Sequence, residues 1–427
     1  MALLSGTEEL WSEAILQSAS AFDSPVMVLS AGEYHVCLEN TRMAAGEYSL
    51  CIATEVPTDA ILEEEPNDTL GTATPVAVLT NAQGALVPAG DQDVYTFALE
   101  QSGVVTLEFA FAQPESASED RYYVLTLAEE NRHILYSEVV RGVSGREADG
   151  MVAFSSPAAY LAKGTYYVQV SGSQHAWQGQ YMLRIGYEEQ EAVEGEYNDE
   201  RDVAQLITPN TAVQGGFLHA ADVDWFRLAL EKSSMVQLRL DFAPLEESGN
   251  VYTIALMDGE EELLRANVRG KEANFVSTPV CLLAGNYDIR LENPIHTQQD
   301  YCLTVACVGV EAAEAEPNDT LASATPILAD KVYSGVCSNW QDIDVYCLSV
   351  AEGESPLLEF AFEPFGGVEE AFALRLEQNG RVHWETTVSE ESGGISASLQ
   401  LPAGEYHLSI SPESGIAMPY TLSLCGM

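Results

Sequence analysis

Short runs of alternating apolar and polar residues dominate this chain. Examples are Asp93-Val94-Tyr95-Thr96-Phe97-Ala98-Leu99, Asp224-Trp225-Phe226-Arg227-Leu228 and Asp344-Val345-Tyr346-Cys347-Leu348. A period of two is the signature of a strand with one face buried. It puts Tyr166, Val168 and Val170 on one face and Tyr167 and Gln169 on the other, which suits a sheet wet on one side. Further runs follow, such as Val104 to Phe109, Met235 to Leu240, Tyr123 to Leu127, Tyr252 to Leu256 and Phe372 to Leu376, divided by Gly, Pro and Asn turns. No segment sustains a helical period. The pattern predicts an all-β chain of tandem antiparallel β-sandwich domains.

The runs recur in a fixed order. Glu63-Glu64-Glu65-Pro66-Asn67-Asp68-Thr69 returns as Glu194-Gly195-Glu196-Tyr197-Asn198-Asp199 and as Glu314-Ala315-Glu316-Pro317-Asn318-Asp319-Thr320. The pairs Asp91/Asp93, Asp222/Asp224 and Asp342/Asp344 each begin 23 residues after the Asp of the Asn-Asp step. Each unit closes on a turn (Lys163-Gly164-Thr165-Tyr166, Ala284-Gly285-Asn286-Tyr287, Ala403-Gly404-Glu405-Tyr406) and a later tyrosine, Tyr181, Tyr301 or Tyr420. The copies lie 131 and 120 residues apart, far longer than a solenoid repeat, so each buries its own core. The expected domains are 58–190, 191–309 and 310–427. Ala31-Gly32-Glu33-Tyr34 and Tyr48 match the closing turn and second tyrosine, and Leu3 to Trp11 resembles the third strand and its hairpin. Residues 1–57 therefore read as the back half of a fourth unit. On this reading the sequence is a fragment of a longer protein, or Met1 is not the biological start.

Composition narrows the chemistry. Of the 427 residues 66 are acidic and 18 basic, a formal charge of −48, which excludes nucleic acid as a partner because phosphate binding needs clustered Lys and Arg. The three acidic sets use five carboxylates each, so most of this charge is solvated surface, whether ordinary or salt-adapted. No run of 18 apolar residues predicts a membrane span, and no signal peptide is visible at Met1-Ala2-Leu3-Leu4. The eight cysteines form no uniform framework. Cys37 and Cys51 could face each other across a hairpin, Cys337 and Cys347 flank the third Asp-x-Asp loop, and buried free thiols are an equal alternative.

Crowded carboxylates repel unless a cation or hydrogen-bond donors intervene. Hard cations such as calcium take six to eight oxygen ligands. Glu63, Glu65, Asn67, Asp68, Asp91 and Asp93 offer that chemistry, as do Glu194, Glu196, Asn198, Asp199, Asp222 and Asp224, and Glu314, Glu316, Asn318, Asp319, Asp342 and Asp344. Positions 63, 65 and 67 point the same way along an extended segment. The alternative is that Pro-Asn-Asp forms a turn and Asp-x-Asp caps a loop through backbone N–H groups.

In their order and spacing, Glu-x-Glu-x-Asn-Asp, Asp-x-Asp-hydrophobic-aromatic, Ala-Gly-x-Tyr and a final Tyr strand resemble the bacterial pre-peptidase C-terminal domain. They are similar too to the collagen-binding domains of clostridial collagenases. The resemblance covers nearly the whole chain. It implies a secreted, jelly-roll-like sandwich, accessory to a protease or other exported enzyme. It also implies calcium at the six positions named in each unit. A departure is that no catalytic domain accompanies the repeats.

The seven histidines occupy mostly non-equivalent places, and no His-Glu-x-x-His, Gly-x-Ser-x-Gly or phosphate-loop pattern occurs. The expectation is a non-enzyme. Trp225 is expected in a core or loop-packing role. Trp11, Trp384 and Tyr136 share a hairpin position that could bind protein or glycan, and Trp177 and Trp340 are isolated. Two functions follow. One is an extracellular or cell-surface array adhering to a protein or polysaccharide. The other is a calcium-stiffened spacer with no ligand of its own. The chain is expected to be a monomer or part of a longer polypeptide. A recurring exposed aromatic patch would favour the first, and uniformly acidic faces with ordered junctions the second.

Overall fold

The computed structural model describes residues 1–16, 21–29, 31–41, 46–55, 60–87, 90–112, 121–142, 151–173, 179–219, 222–245, 249–295, 300–338, 341–364, 366, 369–413 and 418–426. The expected boundary at 57/58, His175, His296, Trp177 and Trp340 lie outside them. The chain divides into two compact units, Met1–Tyr197 and Asn198–Met427. Both are all-β sandwiches, and the described residues hold no α-helix. Among the described residues no helix is long and apolar enough to cross a membrane.

In the first unit, one sheet runs Ile134–Arg141, Arg121–Glu129, Gly164–Gly172, Gln92–Leu99, Thr74–Pro75. The facing sheet runs Met151–Ser155, Gly103–Ala112, Gln180–Glu189, Asn81–Ala85, Ile61–Leu62, with Ala159–Leu161 also on Gly103–Ala112. Pairing is antiparallel except at the short edge strands Ile61–Leu62 and Thr74–Pro75, which are parallel to their neighbours. Gly103–Ala112 alternates buried and half-buried along its length, as the period-two pattern requires. Phe109 sits between the sheets, its ring centroid 4.9 Å from Tyr123 and 5.1 Å from Tyr181.

The second unit holds two further sandwiches of the same plan. In the first, Val223–Leu230, Gly285–Glu292, Asn250–Asp258 and Glu261–Arg269 face Ala212–Gly216, Asp300–Gly309 and Ser234–Phe242. In the second, Asp344–Val350, Gly404–Pro412, Glu370–Gln378 and Arg381–Ser389 face Val332–Cys337, Met418–Cys425 and Leu357–Phe362. The closing turn is built alike in all three sandwiches. The hydroxyls of Tyr166, Tyr287 and Tyr406 donate to the carbonyls of Ala162, Leu283 and Pro402, four residues back.

Near the start of the chain a three-stranded sheet runs in the order Glu8–Ser12, Ala2–Ser5, Tyr34–Cys37. That is the order of Ile134–Arg141, Arg121–Glu129 and Gly164–Gly172. The final strand of the other units has no counterpart here. Residues 46–55 carry no strand, and Tyr48 is 76% exposed where Tyr181 is 3%. Gln180–Glu189 is held between Asn81–Ala85 and Gly103–Ala112, and among the described residues no strand pairs with the segment around Tyr48.

All eight cysteines are free, with Cys37 and Cys51 exposed and Cys281 and Cys337 buried. Trp225 lies on the outer face of its strand, between inward Asp224 and Phe226, with the Arg290 guanidinium 5.7 Å over its ring. Trp11 and Tyr136 are buried, and Trp384 packs half-buried against its core.

Candidate metal centre

Glu63 and Glu65 of the first acidic segment lie beside Asp93 at the start of the strand Gln92–Leu99. One carboxylate oxygen from each of Glu63, Glu65 and Asp93 lies within 4.8 Å of the others, and Glu314, Glu316 and Asp344 repeat the triad. Glu63 is 1% exposed, Glu314 1%, and Asp93 and Asp344 0%. Neither triad contains a histidine or cysteine.

Backbone and tyrosine donors satisfy one side of each triad. The Ala85 amide donates to Glu63 Oε1 at 2.9 Å, and the Val336 amide to Glu314 Oε1 at 2.6 Å. The Tyr181 hydroxyl donates to Asp93 Oδ2, and that of Tyr420 to Asp344 Oδ2 at 2.6 Å. Tyr95 and Tyr346 complete each cluster, 2.8 and 2.9 Å from those hydroxyls. In the third sandwich the Cys337 thiol also donates to Asp344 Oδ2, at 3.2 Å.

The other side lacks donors. Oδ1 of Asp93, Asn67, Asp344 and Asn318, and Oε1 of Glu316, are buried acceptors with no hydrogen-bond partner. Asn67 and Asn318 are fully buried. Buried polar atoms are almost always partnered, and leaving one bare costs about 1–3 kcal/mol. The same two acceptors are bare in two equivalent positions, and each cluster could hold a metal ion. The set is all oxygen, which fits a hard divalent cation rather than zinc or copper. Glu63, Glu65, Asn67 and Asp93 would hold it in one sandwich, and Glu314, Glu316, Asn318 and Asp344 in the other.

Electrostatics agree. Burial is the largest cause of an upward pKa shift at Glu63, Asp93 and Glu314, with neighbouring carboxylates adding to it. Burial also raises Glu316 to about 8 and Asp344 to about 7. Without a cation these groups favour the protonated form.

The remaining candidates hold the loop. Asp91 accepts from the Val87 amide at 2.6 Å and from the Gln92 amide at 2.9 Å. Asp342 accepts from the Ser338 amide and hydroxyl, and Asp222 from the Leu218 amide. Asp199 and Asp319 accept from the Val223 and Ile343 amides, both at 3.2 Å. Asp68 is exposed beside Asp91. The first Asp of each Asp-x-Asp pair caps, and Asp93 and Asp344 join the two triads.

Of the middle set, Glu194 and Glu196 belong to the first unit and Asn198, Asp199, Asp222 and Asp224 to the second. Glu194 is fully buried and Glu196 half-buried in the first unit. In the second unit Asn198 is 1% exposed with both amide atoms unpartnered, and Asp224 accepts from the Tyr301 hydroxyl at 2.6 Å. Phe226 stands where the others have Tyr95 and Tyr346.

Sequence reasoning missed the tyrosines as site residues, and it missed Gly84, Gly215 and Gly335. Each glycine lies 16 residues after the Asp of its Asn-Asp step, a spacing as regular as that of the aspartates. A Cβ on Gly84 would run into Glu63 Oε2 and the hydroxyls of Tyr95 and Tyr181, and one on Gly335 into Tyr420 and Glu314. Thr74 was missed too, and its hydroxyl accepts from the Glu64 amide at 3.1 Å.

No protein-family model matches this chain. Among solved structures it is similar to the pre-peptidase C-terminal domain of collagenase from Bacillus anthracis, at 18% identity over 29% of this chain and 99% of that one, TM-score 0.20. It is also similar to the CUB1-EGF-CUB2 domain of human MASP-1/3, at 13% identity over 53% and 99%, TM-score 0.16. A third likeness is to the CBM22-1-CBM22-2 tandem domain of Paenibacillus barcinonensis Xyn10C, at 8% identity over 50% and 82%, TM-score 0.18.

Proposed function

We propose that this chain is a non-catalytic, extracellular array of calcium-stabilised sandwiches of the pre-peptidase C-terminal kind. In this reading it serves as a stiff spacer accessory to a secreted enzyme or surface protein. One strand supports the reading by its double use. Ala85 and Val87, whose amides hold Glu63 and Asp91, pack their side chains with Leu3, Trp11 and Val28 of the preceding segment. Val336, whose amide holds Glu314, packs with Ala313 and with Cys281 of the preceding sandwich. The Cys281 thiol donates to the Ser334 carbonyl of that strand at 3.1 Å. A cation that orders the acids therefore orders the strand on which the preceding domain rests. Glu63, Glu65 and Asp91 share one cleft with Glu9, Leu10 and Val28.

Two measurements test this. Calcium titration by calorimetry should give micromolar to millimolar binding with a rise in melting temperature, reversed by chelator. Limited proteolysis near residues 57–62 and 309–313 should slow with calcium. No binding at millimolar calcium would reduce the acidic segments to turns.

A second reading, adhesion to an extracellular protein or glycan, is favoured by one observation. Trp225 sits half-exposed on an outer sheet face, with the Arg290 guanidinium over its ring and Arg227 two residues along the same strand face. Loss of polysaccharide or protein retention in Trp225→Ala, with unchanged melting, would support it.

A further inference from the structure

The two triads are built from the same carboxylates, yet their surroundings differ at one buried position. Two residues after Gly335 stands Cys337, and two residues after Gly84 stands Leu86. Both side chains are fully buried. The Cys337 thiol donates to Asp344 Oδ2 at 3.2 Å, the oxygen that also accepts from the Tyr420 hydroxyl. Asp93 Oδ2 accepts from the Tyr181 hydroxyl, and a leucine at position 86 has no donor to add. The middle sandwich has Phe217 at this place. Among the three sandwiches only the third has the thiol.

A thiol is a weak donor, but here the carboxylate is its nearer partner. Its second acceptor, the Ile410 carbonyl, is 4.0 Å away. Two donors therefore hold Asp344 by Oδ2, while Oδ1 stays bare and buried. Cys337 lies outside the group of converging oxygens from Glu314, Glu316 and Asp344, so it acts through Asp344 and is not itself a ligand. Hydrogen bonds to a ligating carboxylate fix its orientation, and losing one typically costs about 10–100-fold in metal affinity.

We propose that Cys337 is a positioning residue that makes the third acidic centre the tighter of the two triads for calcium. The proposal rests on both triads being cation centres. Its consequence is graded loading. Calcium fills the Glu314, Glu316 and Asp344 centre first, and the Glu63, Glu65 and Asp93 centre at about tenfold higher concentration. The strand Val332–Cys337, whose Ser334 carbonyl takes the Cys281 thiol of the preceding sandwich, is then ordered while the first centre is still empty.

Calorimetric calcium titration of the full chain in two backgrounds tests this. Asp93→Asn with Asp224→Asn leaves the third centre intact, and Asp224→Asn with Asp344→Asn leaves the first. The expected dissociation constant is about tenfold lower for the third centre. Cys337→Ala in the first background should remove that difference. Cys337→Ser, which restores a donor at nearly the same volume, should return most of it. A merely structural role would lower the melting temperature of both variants alike and leave the ratio of the two constants unmoved. Equal constants at the two centres, or a difference that survives Cys337→Ala, would overturn the proposal while leaving calcium binding in place. No binding in either background would overturn the cation reading and this proposal with it. Cadmium giving a thiolate–metal absorption band that Cys337→Ala abolishes would make Cys337 a ligand and overturn the positioning role.

Discussion

The hydroxyl of Tyr420 donates to Oδ2 of Asp344 at 2.6 Å, across 76 residues of chain. Asp344 Oδ1, the other oxygen, is buried and has no hydrogen-bond partner. Tyr181 and Asp93 repeat the relation. The final tyrosine of each unit is thus both a core residue, 2–3% exposed, and the group that aims a carboxylate. Tyr420→Phe keeps the ring packing and removes the donor. It should cost about 1–3 kcal/mol, the penalty of a stranded buried acceptor, and weaken calcium at that centre. Urea unfolding with and without calcium checks this. A loss well under 0.5 kcal/mol in both would mean that Cys337 alone suffices to hold Asp344.

The glycine at the foot of the cluster is a steric requirement. Gly335→Ala places a methyl group against Tyr420 and Glu314 Oε2, and overpacking of this kind costs about 1–3 kcal/mol. Gly46→Ala, where a Cβ would meet nothing within 4 Å, should be near neutral. Parallel melting curves of the two variants would show the difference.

Much of the fold was legible because a period of two records which face is buried, and three copies record it three times. Tyr166, Val168 and Val170 face inward as the alternation requires. The convergence of Glu63, Glu65 and Asp93 was legible as a constant spacing. The split between capping and triad aspartates was not, because Asp91 precedes the strand Gln92–Leu99 and turns back to the Val87 amide, whereas Asp93 lies within the strand and joins the triad. The double use of Val336 was not legible either. An apolar residue in a strand reads as its own domain's core, and its partner Cys281 lies in another sandwich.

pH provides a further test in chelator. Burial raises Asp91 to about 6, Asp222 and Asp344 to about 7 and Glu316 to about 8. A carboxyl whose folded pKa lies above its unfolded value adds stability below that unfolded value, near 4, and loses it as pH rises through the folded pKa. Without cation, the melting temperature should therefore fall between about pH 5 and pH 8. Calcium requires deprotonated ligands, so in its presence the fall should flatten or reverse. Scanning calorimetry at four pH values with and without chelator decides the sign. A melting temperature that rises with pH in chelator would contradict the burial of these acids.

Charge removal should reverse sign with the cation. Asp344→Asn keeps the shape and an acceptor for Tyr420, but removes a buried charge facing Glu314 and Glu316. In chelator at pH 8 the wild-type centre carries uncompensated carboxylates, so the variant should be more stable, by about 1 kcal/mol or more. With saturating calcium the wild type regains the binding free energy and the variant does not. The variant should then be the less stable, by about 1–3 kcal/mol at a hundredfold excess over Kd. Asp342→Asn is the control, since its carboxylate caps the Ser338 amide. It should destabilise under both conditions without changing sign. If Asp344→Asn is destabilising to the same extent with and without calcium, Asp344 serves the turn and not an ion. A crossing of the two stabilities would separate a cation site from a cap at a single carboxylate.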